Sequence, residues 1–108
     1  MPHLKLTGIK KEIAFSISTG LINDLEALLV CPREYFTIEL DENPYIFDGE
    51  TAPVPCKITV EWFDRGQEIQ DQAATIITLT LKKAGYDALD IYFTHLLESQ
   101  YYENGKHF

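Results

Sequence analysis

A strand-length segment, a long amphipathic helix and a second strand occur twice along this chain, and that doubled order constrains the fold more than any other feature. Residues 2–7, Pro-His-Leu-Lys-Leu-Thr, alternate apolar and polar side chains, the period of a half-buried strand. Gly8 ends the segment. Ile13, Ile17, Leu21, Leu25, Leu28 and Leu29 then recur at three- and four-residue spacing, one apolar stripe on a helix over residues 9–30. Pro32 stops it, because proline cannot continue a helix. A second strand is predicted over 34–41, with Phe36, Ile38 and Leu40 on one face. The second copy opens at Cys56. Its strand, 56–63, turns Cys56, Ile58, Val60 and Trp62 one way and Lys57, Thr59 and Glu61 the other. Asp64 is placed to cap the next helix, with Gln67 bonding back to it. Ile69, Ala73, Ile76, Ile77, Thr80 and Ala84 form that helix's stripe, Gly85 closes it, and a last strand is predicted over 89–96.

These elements read as an α/β (α+β) chain of two βαβ units in one four-stranded mixed sheet, with both helices on one face. A right-handed crossover makes the two strands of each unit parallel. The expected organisation is a single domain, 1–108: βαβ 2–41, connector 42–55, βαβ 56–97, and a hairpin-like tail 98–108. Asp48-Gly49 in the connector and Asn104-Gly105 in the tail are hairpin-turn signals, since both favour positive φ. The tail is also too aromatic for a typical disordered segment. With helices on one face only, the other face, carrying Tyr35, Thr37, Tyr92 and Leu96, calls for partial cover by oligomerisation. A ferredoxin-like regulatory domain shares the element order and is the competing fold. The long connector counts against it, because that fold joins its middle strands by a short hairpin.

Composition narrows the function classes. The 108 residues carry a formal net charge of −8, which opposes binding to nucleic acid or to anionic membranes. No apolar run approaches a membrane span and no signal peptide is visible, so a soluble, cytoplasmic protein is expected. Cys31 and Cys56 match no metal or redox spacing and read as small buried hydrophobes. His3, His95 and His107 are scattered, so no metal site and no cofactor are expected.

Several motifs resemble those of the tautomerase superfamily, the 4-oxalocrotonate tautomerase and macrophage migration inhibitory factor fold. Met1-Pro2 opens directly into the first strand, two βαβ units follow, and Phe47-Asp48-Gly49 is succeeded by Pro55-Cys56. Trp62-Phe63-Asp64-Arg65-Gly66-Gln67-Glu68 and Tyr101-Tyr102-Glu103-Asn104-Gly105 are similar to an uncharacterised bacterial branch of that fold. The resemblance implies a homotrimer with sites near subunit boundaries. It also implies that Pro2, once Met1 is removed, is the catalytic base of a keto–enol tautomerase or isomerase acting on a small keto acid. The family's lysine before the second strand has no match; Arg33 lies near that place. The amide and tyrosine that line the family's pocket are not matched in Leu89-Asp90-Ile91-Tyr92-Phe93. A non-catalytic member of the same fold is the alternative.

The chemistry can also be argued from the residues themselves. A free N-terminal amine titrates about two units below lysine, and burial or a nearby cation lowers it further. A base near neutral pH suits proton transfer. The only two arginines, Arg33 and Arg65, both lie at strand ends. If the two βαβ units run antiparallel, both reach the sheet edge that holds Pro2. They are therefore candidate substrate-binding residues, because a guanidinium suits a carboxylate. The competing reading pairs Arg33 with Glu34 or a helix carbonyl, and Arg65 with Asp64 or Glu68. Tyr101, Tyr102 and Phe108 are read as packing across a subunit boundary, with a pocket wall as the alternative.

Overall fold

A computed structural model describes residues Met1–Phe108. The first unit is β1 (His3–Thr7), α1 (Lys11–Leu29) and β2 (Thr37–Asp41); the second is β5 (Lys57–Phe63), α2 (Gln67–Lys83) and β6 (Asp90–Leu96). Between them the connector folds into a hairpin, β3 (Tyr45–Phe47) and β4 (Glu50–Ala52), and the tail into another, β7 (Tyr102–Glu103) and β8 (Lys106–His107). The main sheet runs β2-β1-β5-β6. β1 is parallel to β2 and β5 to β6, while β1 and β5 are antiparallel, with His3 opposite Glu61 and Thr7 opposite Lys57. The strands of each βαβ unit are thus direct neighbours. A ferredoxin-like arrangement, in which another strand splits each unit, is ruled out.

Alternation decides which face is buried. Leu4, Leu6, Ile58, Val60 and Trp62 point to the helices and are almost fully buried. Leu21, Leu25 and Leu29 of α1 and Ala73, Ile77 and Leu81 of α2 meet them, and the Trp62 ring lies 4.9 Å from that of Phe93. Burying each such large side chain stabilises the fold by about 1.5–3 kcal/mol. The opposite face is polar along β1 and β2 and carries Phe63, Tyr92 and Leu96 along β5 and β6. The His3 ring nitrogens there lie 2.7 Å from Thr37 Oγ1 and 2.8 Å from Glu39 Oε1, and Lys5 pairs with Asp41 at 3.6 Å.

Local chemistry fixes the element ends. α1 closes on Val30 in the left-handed region (φ 52°), whose N–H donates to Glu26 O at 2.9 Å. Both hairpins turn on residue pairs with positive φ, Asp48-Gly49 and Asn104-Gly105, as the turn signals predict. Gly8 has φ 73°, and a Cβ there would lie 2.2 Å from Pro55 O, so only glycine lets the connector cross the end of β1. The capping expectation for α2 needs correction. Asp64 Oδ1 accepts from the Gly66 N–H at 2.9 Å, one step outside the helix, and Gln67 donates forward to Asp71 at 2.7 Å. Gly66, at φ 88°, occupies the cap position and has no side chain to offer.

Candidate active site

The antiparallel seam between the two units brings the start of β1 to the end of β5. Pro2 lies there, fully buried, with its carbonyl accepting the Thr37 N–H at 3.1 Å. Beside it opens a cavity of about 410 Å³ lined by Met1, Cys31, Tyr35, Phe63, Arg65 and the tail residues Tyr101, Glu103 and Phe108. Each lining residue is delivered by an element end. Met1 precedes β1, Cys31 follows α1, Phe63 ends β5, and Arg65 sits in the turn that enters α2.

The tail builds the outer wall. Tyr101 and Phe108 rings lie 5.4 and 5.6 Å from Phe63 and 4.9 Å from each other. The Phe108 N–H donates to Tyr101 O at 3.0 Å, which clamps the chain end across the hairpin. Tyr101 and Phe108 therefore both pack and line the cavity, while Tyr102 is exposed.

Two groups give the cavity its electrostatics. The N-terminal amine titrates below its ordinary value, first because it is partly buried. The Arg65 charge lowers it further, whereas Cys31 and Glu103 act in the opposite direction. Arg65 forms no ion pair with Asp64 or Glu68; Asp64 instead lies 4.0 Å from His95. The guanidinium sits 5.7 Å from the centre of the Trp62 ring, and its Nε is shielded from solvent with no hydrogen-bond partner.

The sequence-derived candidates separate here. Arg65 lines the cavity together with Met1, while Pro2 lies buried next to Met1 and is not itself a lining residue. Arg33 does not line the cavity: its Nη1 donates to Asn23 at 2.7 Å and meets Glu26 at 3.4 Å, back along α1. Sequence reasoning passed over Cys31, Tyr35, Phe63 and Glu103 as site residues. Glu103 had a usable signal, since Asn104-Gly105 marks a turn that folds the tail back.

The family model described as Domain of unknown function (DUF1904) matches residues 1–107. The chain belongs to the DUF1904 family. The crystal structure of a DUF1904 domain from Sebaldella termitidis ATCC 33386 is 37% identical, covers 100% of both chains and superposes with a TM-score of 0.89. More distant solved structures outside that family share the fold, as the sequence resemblance implies. The macrophage migration inhibitory factor-like protein of Entamoeba histolytica matches with TM-score 0.73 at 16% identity, over 99% of this chain and 98% of its own. Pt0534, in a structure inactivated by 2-oxo-3-pentynoate, matches with TM-score 0.73 at 12% identity, over 97% and 92%. No functionally curated protein matches the chain.

Proposed function

We propose that this DUF1904 chain is a tautomerase or isomerase that uses Pro2, freed of Met1, as general base on a small keto or enol acid. One observation supports the reading: Met1, whose removal would free the Pro2 nitrogen, and an arginine without an ion-pair partner line the same cavity. Loss of Met1 turns the Pro2 nitrogen from an amide into a secondary amine at that mouth. The same surroundings, a part-buried position with Arg65 nearby, are of the kind that favour a neutral amine, which suits a base. Arg65 holds the substrate carboxylate through its fork of donors. The amine then removes the proton beside the carbonyl and returns it to the neighbouring oxygen or carbon. The Phe63, Tyr101 and Phe108 rings wall one side of the site. Arg33 joins this chemistry only by leaving Asn23 and Glu26. The inactivation of Pt0534 by an oxo acid, on the same fold, supports the choice of substrate class.

Homotrimeric assembly in the cytoplasm belongs to the same reading. Two-stranded hairpins are marginal alone, yet β3–β4 stands apart from the main sheet with Ile46 and Phe47 75% and 78% exposed. The edges of β2 and β6 are open to receive a neighbour. No helix is long and apolar enough to cross a membrane.

The deciding experiment is intact-mass spectrometry of untagged protein followed by phenylenolpyruvate or 2-hydroxymuconate turnover. Met1 is expected to be absent, and Pro2→Ala should lower kcat/KM by roughly 10²–10⁴, the usual contribution of a general base. Retained Met1, or turnover undiminished in the variant, overturns the reading. Retention would favour the non-catalytic alternative.

A further inference from the structure

As a base, the Pro2 nitrogen would stand at the leading end of β1, where a chain frays unless it is tied down. Backbone pairing supplies one tie, the Thr37 N–H donated to the Pro2 carbonyl at 3.1 Å. The next residue supplies two more from the other side of the sheet. Alternation turns the Pro2 ring into the interior and the His3 ring onto the helix-free face. The His3 side chain is only 18% exposed there, with Nδ1 2.7 Å from Thr37 Oγ1 and Nε2 2.8 Å from Glu39 Oε1.

Donor and acceptor chemistry orders this contact. A carboxylate only accepts, so Nε2 carries a hydrogen and donates it to Glu39. In the neutral ring Nδ1 is then an acceptor, and the Thr37 hydroxyl donates to it. Glu39 stands opposite Lys5 in the register, yet it reaches one pair back to His3, while Lys5 pairs with Asp41 at 3.6 Å. Thr37 thus holds two consecutive residues, Pro2 by its main chain and His3 by its hydroxyl. Tyr35, two residues earlier, lines the cavity, so the same knot joins that wall to the start of β1. His3 itself does not line the cavity.

We propose that His3 is a positioning residue for the Pro2 base, fixing the start of β1 through Thr37 and Glu39 so that the Pro2 nitrogen is held beside the cavity. The inference rests on the tautomerase reading and adds to it a requirement met from the opposite face of the sheet. His3 touches neither the substrate nor the reacting nitrogen. It matters because a displacement of about 1 Å at a reacting atom costs roughly a hundredfold in rate.

The test compares untagged full chain with His3→Ala, His3→Gln, Thr37→Val and Thr37→Ser. Thr37→Val keeps the side-chain shape and the main-chain bond to Pro2 and deletes only the hydroxyl. Thr37→Ser and His3→Gln each keep a donor and an acceptor in place. His3→Ala and Thr37→Val should lower kcat for phenylenolpyruvate by roughly 10–100-fold and leave KM within about twofold, and the two conservative variants should recover most of the loss. The second readout is the pH titration of the N-terminal amine, followed by NMR. Arg65, Cys31 and Glu103, the groups whose charges act on that amine, are untouched by these variants. An amine that leaves its part-buried place therefore titrates higher, toward its ordinary value. A merely structural role lowers stability without moving the amine. An unchanged titration in folded His3→Ala and Thr37→Val, undiminished kcat in protein that turns over, or no recovery in the conservative variants each overturn the proposal. Retained Met1, or a wild-type chain without turnover, sinks the tautomerase reading alone: the amine, on Met1 or on Pro2, still titrates higher in the two disruptive variants if His3 positions this end of β1, and stays put if it does not.

Discussion

The Arg65 charge acts on the N-terminal amine, which gives the proposed chemistry a directional pH signature. Proton abstraction needs the neutral amine, so activity should rise as pH climbs through the amine's pKa. Burial, foremost, and the Arg65 charge lower the Met1 amine at this place, and a Pro2 amine exposed there by loss of Met1 is proposed to feel the same influences. Arg65→Gln removes one lowering influence, so the rising limb of the kcat/KM profile should move to higher pH. The same variant should lose about 10–100-fold in kcat/KM, the worth of a hydrogen bond to a charged group. Elsewhere the backbone itself is informative. Val30 is a β-branched residue held in the left-handed region with its side chain 86% exposed. Val30→Gly relieves that strain at no packing cost and should stabilise the fold by about 1 kcal/mol, read from denaturant midpoints. Gly8→Ala should do the reverse, because the added methyl meets the Pro55 carbonyl.

Among the elements, the tail hairpin joins fold to function. Its two short strands contribute one ladder of two residue pairs, so the aromatic contacts to Phe63 hold it in place. Tyr101→Ala removes two of the three ring contacts and should cost about 1–3 kcal/mol. It should also raise KM in the turnover assay. The hairpins and both βαβ units were legible in the sequence because their signals are local: period-two strands, three-four helical stripes, and Asp-Gly and Asn-Gly turns. The start of α2 was not. Asp64 has the right chemistry for a cap, but the glycine at Gly66 lets the chain extend two residues further before the helix begins. The cavity was legible only in part. Pro2 and Arg65 follow from strand order once the seam is antiparallel. Cys31 and Tyr35 come from the turn between α1 and β2, whose direction depends on tertiary packing and leaves no period to read. Arg33 is in the same turn, and only the fold reveals that Asn23 and Glu26, on the preceding helix, reach it first.

For the molecule as a whole, the antiparallel β1–β5 seam puts the openings of the two βαβ units at opposite ends of the sheet. In an assembly built on the β3–β4 arm, Ile46→Lys with Phe47→Glu should yield monomers by light scattering, since those exposed side chains are the surface such contacts would use. The two openings are also unequal in valence. At the first, the proposed reading places the secondary amine of Pro2. At the second, Cys56 follows Pro55, and its nitrogen is an amide bound into the connector. A duplicated architecture thus carries a candidate base at only one of its two openings. Titration with a reagent directed to the Pro2 site should saturate at one equivalent per chain, so an assembly of n copies counts n sites rather than 2n.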